Sequence, residues 1–160
     1  GSTIDPILLK AKCDVVMFRF EEGKDWDDIH KILVPTAGGP HAVLAAELAR
    51  GLGVRKNAGI TIMNVGSSSM DKKRAEGAFK ELEGHFKGLP TIKKFVQADN
   101  APSAIAAEAK VHDVVFLGAT TEPFLKNFLL GVFPEKVVSE TDKTVIMTRK
   151  WVQFRDVLKR

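Results

Sequence analysis

The chain holds 160 residues, 44% of them hydrophobic, enough for one packed domain with short appendages. Its net charge of +4 comes from lysines and arginines interleaved with acids, and without a basic stripe no nucleic-acid partner is expected. The one cysteine, Cys13, excludes an internal disulfide framework and a cysteine-rich zinc site, and suits a reducing compartment. No apolar run approaches the ~18 residues that cross a bilayer, and the amino end does not read as a signal peptide.

In chain order, Cys13 to Phe20 reads as a strand. A charged stretch follows, Glu21 to His30, with the composition of a linker and with Trp26 placed to pin it to a neighbouring surface. Lys31 to Pro35 is a short apolar strand closed by the turn Thr36-Ala37-Gly38-Gly39. Pro40 suits the first turn of a helix, where its missing N–H costs nothing. That helix is Ala/Leu-rich and is expected to stop at Gly51 and Gly53. Ile60 to Val65 is a second strand, and Ser68 with Asp71 forms a capping box for a second helix. Its apolar positions Ala75, Ala78, Phe79, Leu82 and Phe86 recur at helical spacing, which leaves the lysines and glutamates to water.

Thr91 to Ala98 is a third strand, and its Lys93-Lys94 pair marks a sheet edge. Asn100 and Pro102 open a third helix ending near Lys110. Asp113 to Gly118 is a continuous apolar run, the pattern of a central strand buried on both faces. A short helix from Pro134 to Glu140 and a strand from Thr144 to Arg149 complete the order. Strands alternating with helices predict a doubly wound α/β fold around a parallel sheet. In such sheets ligands bind beyond the carboxyl ends of the strands, which singles out Thr36 to Gly39 and Gly118 to Thr121.

At these residues the chain resembles the universal stress protein family. ATP-binding members carry Gly-x2-Gly-x9-Gly-(Ser/Thr) after the fourth strand and an aspartate after the first. Gly118 and Gly131 stand in that register, whereas Thr121 replaces the middle glycine, Val132 the hydroxyl residue and Ala37 the aspartate. The resemblance implies a five-stranded parallel sheet in the order 3-2-1-4-5 for residues 31–149, with Leu33, Val65, Val115 and Leu117 buried. It also implies a degraded nucleotide site formed by Thr36, Gly38, Gly39, Val65, Gly118, Thr120, Thr121 and Gly131. The Thr121 side chain intrudes where backbone should approach phosphate, so ATP or AMP is expected to bind weakly at most. A structural reading of the glycines stands beside this one. Gly118 ends a buried strand, Gly131 permits a turn, and Gly38-Gly39 is either an anion-binding turn or only the strand-to-helix crossing.

Residues 1–20 run parallel to residues 131–150: Gly1 matches Gly131, Val15 matches Val145, Met17 matches Met147 and Arg19 matches Arg149. The segment reads as the helix and last strand of a preceding repeat, or, for Gly1-Ser2, as a cloning remnant. Residues 21–30 then form a linker, and 150–160 a basic tail whose Trp151, Phe154 and Leu158 share a helical face. Family members dimerise through their last strand, so a homodimer or pseudo-dimer is expected from antiparallel pairing of Val15–Phe20 with Thr144–Arg149.

No catalytic set emerges. Cys13 has no nearby histidine, and His30, His41, His85 and His112 have no metal-ligand spacing. His41, in the first turn of a helix beside the cleft, is read as a solvated surface histidine in preference to a ligand contact. A non-enzymatic regulatory or nucleotide-sensing domain is the expectation. The stretch Val34 to Ala42 is similar to a stress-protein variant found as soluble carboxyl-terminal domains of amino-acid permeases and related transporters. The resemblance thus implies a cytoplasmic domain of a larger protein with a transmembrane part. The alternative is a stand-alone tandem stress protein that binds ATP or AMP.

Overall fold

A computed structural model describes residues 11–119 and 132–152. Thr120, Thr121 and Gly131, the expected amino-terminal helix and most of the basic tail lie outside these residues. The described strands are β1 (Val15–Arg19), β2 (Lys31–Pro35), β3 (Gly59–Gly66), β4 (Thr91–Gln97), β5 (Val114–Gly118) and β6 (Thr144–Arg149). The described helices are α1 (Pro40–Lys56), α2 (Ser69–Glu83), α3 (Ala101–Ala109) and α4 (Val132–Glu140).

The six described strands form one sheet in the order β4-β3-β2-β5-β6-β1. Strands β2 to β6 are mutually parallel and reproduce the expected order, with β4 and its Lys93-Lys94 pair at one edge. The five parallel strands expected for residues 31–149 are present, and the amino-terminal strand makes the described sheet six-stranded and mixed in direction. The amino-terminal strand β1 adds antiparallel to β6 of the same chain, with Val15 opposite Arg149 and Arg19 opposite Val145. Both strands alternate side chains between the two faces, so this register keeps Val16 and Met17 on opposite core layers.

Those layers follow directly from the period of two. Ile32, Val34, Ile60, Ile62, Val114 and Phe116 face α1 and α2, whose Ala45, Ala46, Ala49, Phe79 and Leu82 complete that core. Leu33, Met63, Val115, Leu117 and Val145 face the other way onto Ile105 of α3 and Val137 of α4. Leu33, Val115 and Leu117 are buried as expected, but Val65 is only half-buried because it sits at the rim where β3 ends. Helix α1 does not stop at Gly51 or Gly53. It runs on to Lys56 and ends where Asn57 takes a left-handed conformation, φ 50°, that asparagine tolerates.

Residues 21–30 are bound closely to the domain. Ile29 is fully buried, and Trp26 packs against the same core. One carboxylate organises the rest. Asp113 Oδ2 accepts the backbone N–H groups of His30 (2.8 Å) and Lys31 (2.9 Å), and its Oδ1 accepts Lys24 Nζ at 3.0 Å. Burial pushes the Asp113 pKa up, but the His30 amide, Lys24 and the Lys31 amide outweigh it and hold the group below the usual aspartate value.

Replacing Asp113 with alanine should therefore cost about 2–3 kcal/mol at neutral pH, since several donors lose a charged acceptor. A depressed carboxylate pKa contributes stability that is fully present above about pH 4 and is lost as the pH falls through the lower folded-state value. Urea denaturation from pH 7 down to pH 3 should show the difference between native and Asp113→Ala proteins shrinking below about pH 4. A pH-independent difference would show that packing, and not charge, holds this corner.

Candidate functional site

Beyond the carboxyl ends of β2 and β5 the chain crosses from one half of the sheet to the other, and a cleft of about 480 Å³ opens there. Its walls come from Pro35 to Ala42, from Met63, Asn64 and Val65 at the end of β3, from Ala101 and Ile105 of α3, and from Leu117 to Ala119. Of the residues singled out in the sequence, Thr36, Gly38, Gly39, Val65 and Gly118 are brought together along this cleft. Thr120, Thr121 and Gly131 lie outside the described residues.

The turn between β2 and α1 depends on glycine. Gly38 and Gly39 have φ of 88° and 91°, which a residue with a side chain adopts only under strain. Their N–H groups are already engaged: Gly38 donates to Thr36 Oγ1 at 2.9 Å, and Gly39 to Glu81 Oε2 at 3.0 Å. Glu81 reaches this turn from α2, which packs on the same face of the sheet as α1. Of the two readings left open for Gly38-Gly39, an anion-binding turn or a strand-to-helix crossing, the second needs no spare donors. A hydroxyl and a carboxylate of the chain itself hold both N–H groups.

Gly118 has a different reason to be glycine. A Cβ there would lie 2.8 Å from the Ala42 nitrogen and 2.8 Å from the His41 carbonyl carbon. Both are backbone atoms of the first turn of α1, so the end of β5 and the start of α1 touch through main chain. This contact, and not merely the end of a buried strand, accounts for the residue.

His41 is half-buried, not a solvated surface side chain. Its carbonyl accepts the Thr148 hydroxyl at 2.9 Å, and its Nδ1 accepts the Lys150 backbone N–H at 2.9 Å. With Nδ1 accepting, the neutral ring carries its proton on Nε2. Burial first and the positive Arg149 second lower the His41 pKa, against the smaller pull of Asp14. The ring is therefore neutral at physiological pH. Asp14 in turn accepts the Trp151 N–H and Lys150 Nζ, both at 2.8 Å, so the helix start, the end of β6 and β1 form one hydrogen-bonded corner.

Asn64 is a site residue that the sequence pattern does not single out. Its Nδ2 donates to the Thr36 carbonyl at 2.7 Å, which fixes the β2 exit against β3. The available signal is a polar residue at the end of an otherwise apolar strand. The described wall of the cleft holds no lysine, arginine, aspartate or glutamate, and Ala37 supplies no polar group in place of an aspartate. Among the described residues, no three His, Cys, Asp or Glu side chains are grouped to hold a metal ion. No described helix is long and apolar enough to cross a membrane.

Neither a protein-family model nor a curated protein matches the chain. Among solved structures it is similar to a universal stress protein from Archaeoglobus fulgidus DSM 4304, with TM-score 0.64 and 16% identity over 94% of this chain and 57% of that one. It is similar to the cytoplasmic domain of a prokaryotic cation chloride cotransporter, with TM-score 0.65 and 12% identity over 91% of this chain and 57% of that one. A universal stress protein solved with cAMP gives TM-score 0.57 and 17% identity over 74% of this chain and 95% of that one. The chain has the universal stress protein fold.

If Gly118 exists for close approach, Gly118→Ala should cost about 2 kcal/mol, because backbone must move to admit the methyl group. Gly77 is the internal comparison. It lies within α2, where an added methyl group would meet open space, so Gly77→Ala should stabilise by about 0.5–1 kcal/mol. Thermal or urea denaturation of the two variants should move in opposite directions. Equal tolerance at both positions would remove the steric account of Gly118.

Proposed function

We propose that this chain is a non-enzymatic regulatory module that senses a small ligand in a degraded nucleotide cleft, within a larger protein such as a transporter. One observation carries the reading: the amides of Gly38 and Gly39, two glycines that line the cleft, are held by Thr36 and Glu81. A phosphate site works by converging unsatisfied N–H groups on oxygen, and a turn whose donors are engaged must break those bonds first. The lack of any lysine or arginine on the described wall supports the same reading. The likeness to a transporter's cytoplasmic domain supports the setting, and would place the chain in the cytoplasm.

A second reading, a tandem stress protein that binds ATP or AMP, draws on the pairing of β1 with β6. The strand that repeats the last strand lies antiparallel to it, residue against matching residue at Met17 and Met147. That pairing is what a pseudo-dimer within one chain would use, and a stress protein solved with cAMP shares the fold. A homodimer through the same strand would require β1 to leave β6.

Titration calorimetry with ATP separates the two. The degraded-cleft reading expects no binding tighter than about 100 μM, since each charge-assisted hydrogen bond forgone costs roughly 1.5–3 kcal/mol and every ~1.4 kcal/mol is tenfold. A micromolar constant for ATP would favour the tandem nucleotide-binding protein.

A further inference from the structure

We infer that His41 is a proton-operated latch, whose neutral ring ties the start of α1 to the end of β6 and whose protonation releases the corner where β6 meets β1. The inference holds whether or not the cleft takes a ligand.

The geometry makes the bond conditional on protonation. His41 Nδ1 accepts the Lys150 backbone N–H at 2.9 Å. An imidazolium carries a proton on both ring nitrogens and has no acceptor left. Protonation therefore sets two N–H groups against each other, and one of them must move.

What the ring holds is small and well defined. Lys150 follows β6 directly, and its neighbour Trp151 donates its N–H to Asp14 Oδ1 at 2.8 Å. Asp14 Oδ2 takes Lys150 Nζ at 2.8 Å, and Asp14 immediately precedes β1, where Val15 lies opposite Arg149. Losing the Lys150 amide thus frees the end of β6 at the point where Asp14 fastens β1. The other end of β1 has its own attachment, because Arg19 donates to the carbonyls of Val138 and Thr141. Release therefore starts at Val15 and does not carry the whole strand.

The surrounding charges set the direction. Burial and the positive Arg149 oppose a proton on the ring, and Asp14 attracts one less strongly. Lys150 is occupied by Asp14, and Glu47 on α1 adds a smaller pull on that lysine. Glu81 of α2 is engaged two residues before the ring, on the Gly39 N–H. The described cleft lining adds no lysine, arginine, aspartate or glutamate. With the folded histidine pKa below its ordinary value, the closed corner is fully favoured above about pH 6.5. It loses ground as the pH falls through the lower folded value, by at most about tenfold per pH unit for one proton. Asp14 is held below the usual aspartate value by Lys150 and the Trp151 amide, so it stays ionised across that window.

NMR titration and hydrogen exchange of the native chain test this between about pH 7.5 and pH 5. The His41 ring should titrate below about pH 6.5. Protection of the Lys150 and Trp151 amides, corrected for intrinsic exchange, should fall with it, by at least about threefold at pH 5. The Ile60 amide, bonded to the Pro90 carbonyl at 2.8 Å, should keep its protection, which separates release of the corner from unfolding. His41→Asn keeps an acceptor near the Nδ1 position and cannot be charged, so its Lys150 protection should not change with pH.

Flat Lys150 protection while the native ring titrates would overturn the inference, as would a ring that takes no proton above pH 5. An equal loss at Ile60, or the same fall in His41→Asn, would overturn it too. Should His41→Asn fail to fold, the native chain decides alone: the midpoints of ring titration and Lys150 deprotection must coincide, and separate midpoints would defeat the latch.

Discussion

Strand β2 is bonded on both edges and covered on both faces, and the remaining architecture is arranged around that fact. Ile32, Leu33 and Val34 are completely buried, so neither layer of helices is free to shift without opening a core. Parallel neighbours β3 and β5 must then end on the same side as β2. Their connections depart to opposite halves of the sheet, and the cleft is the space those departures leave. A small, alanine-rich helix surface follows from the same constraint. Ala42, Ala45, Ala46 and Ala49 let α1 lie close enough for its first turn to touch Gly118. Close packing there is what places His41 between the cleft and the end of β6.

The amino-terminal segment is joined to this frame by charge as much as by strand pairing. Arg19 donates Nη2 to the carbonyls of Val138 and Thr141, at the carboxyl end of α4, where a cation is favoured. Glu21 pairs with Lys143 at 3.2 Å, and its N–H goes to Thr144 Oγ1. Farther along, Lys24 and the His30 amide meet Asp113. Contacts therefore recur through residues 14–31, on β6, α4 and β5 in turn. The exposed side of this segment carries a stacked pair, Phe18 and Phe20, with Trp26 edge-on to the second ring.

What could be read from the sequence was whatever depends on local pattern. The unbroken apolar run after Asp113 identified a central strand, and two lysines side by side identified the edge strand, because each follows from how many faces of a strand are covered. The repeat of Val15, Met17 and Arg19 in Val145, Met147 and Arg149 marked two alike strands. Features that depend on distant partners were not legible. Glu81 has the spacing of a solvent-facing helix residue, and nothing nearby in the chain shows that it meets Gly39, forty-two positions away. His41 looks like any polar residue in a first turn until β6 supplies Lys150. Gly53 resembles a helix stop by composition, yet it is buried within α1, and the left-handed turn falls at Asn57 instead.

The corner where Asp14 meets Lys150 and Trp151 also determines how the fold would respond to tension. Because β1 and β6 are antiparallel, the start of one and the finish of the other are neighbours. A force drawing Asp14 away from Trp151 acts across the ladder and loads one residue pair at a time, so the strands would peel apart as a zipper does. The same force applied at Phe20 and Trp151 would run along the strands and load every rung together. The point of attachment, more than the number of hydrogen bonds, thus decides whether β1 detaches easily or holds.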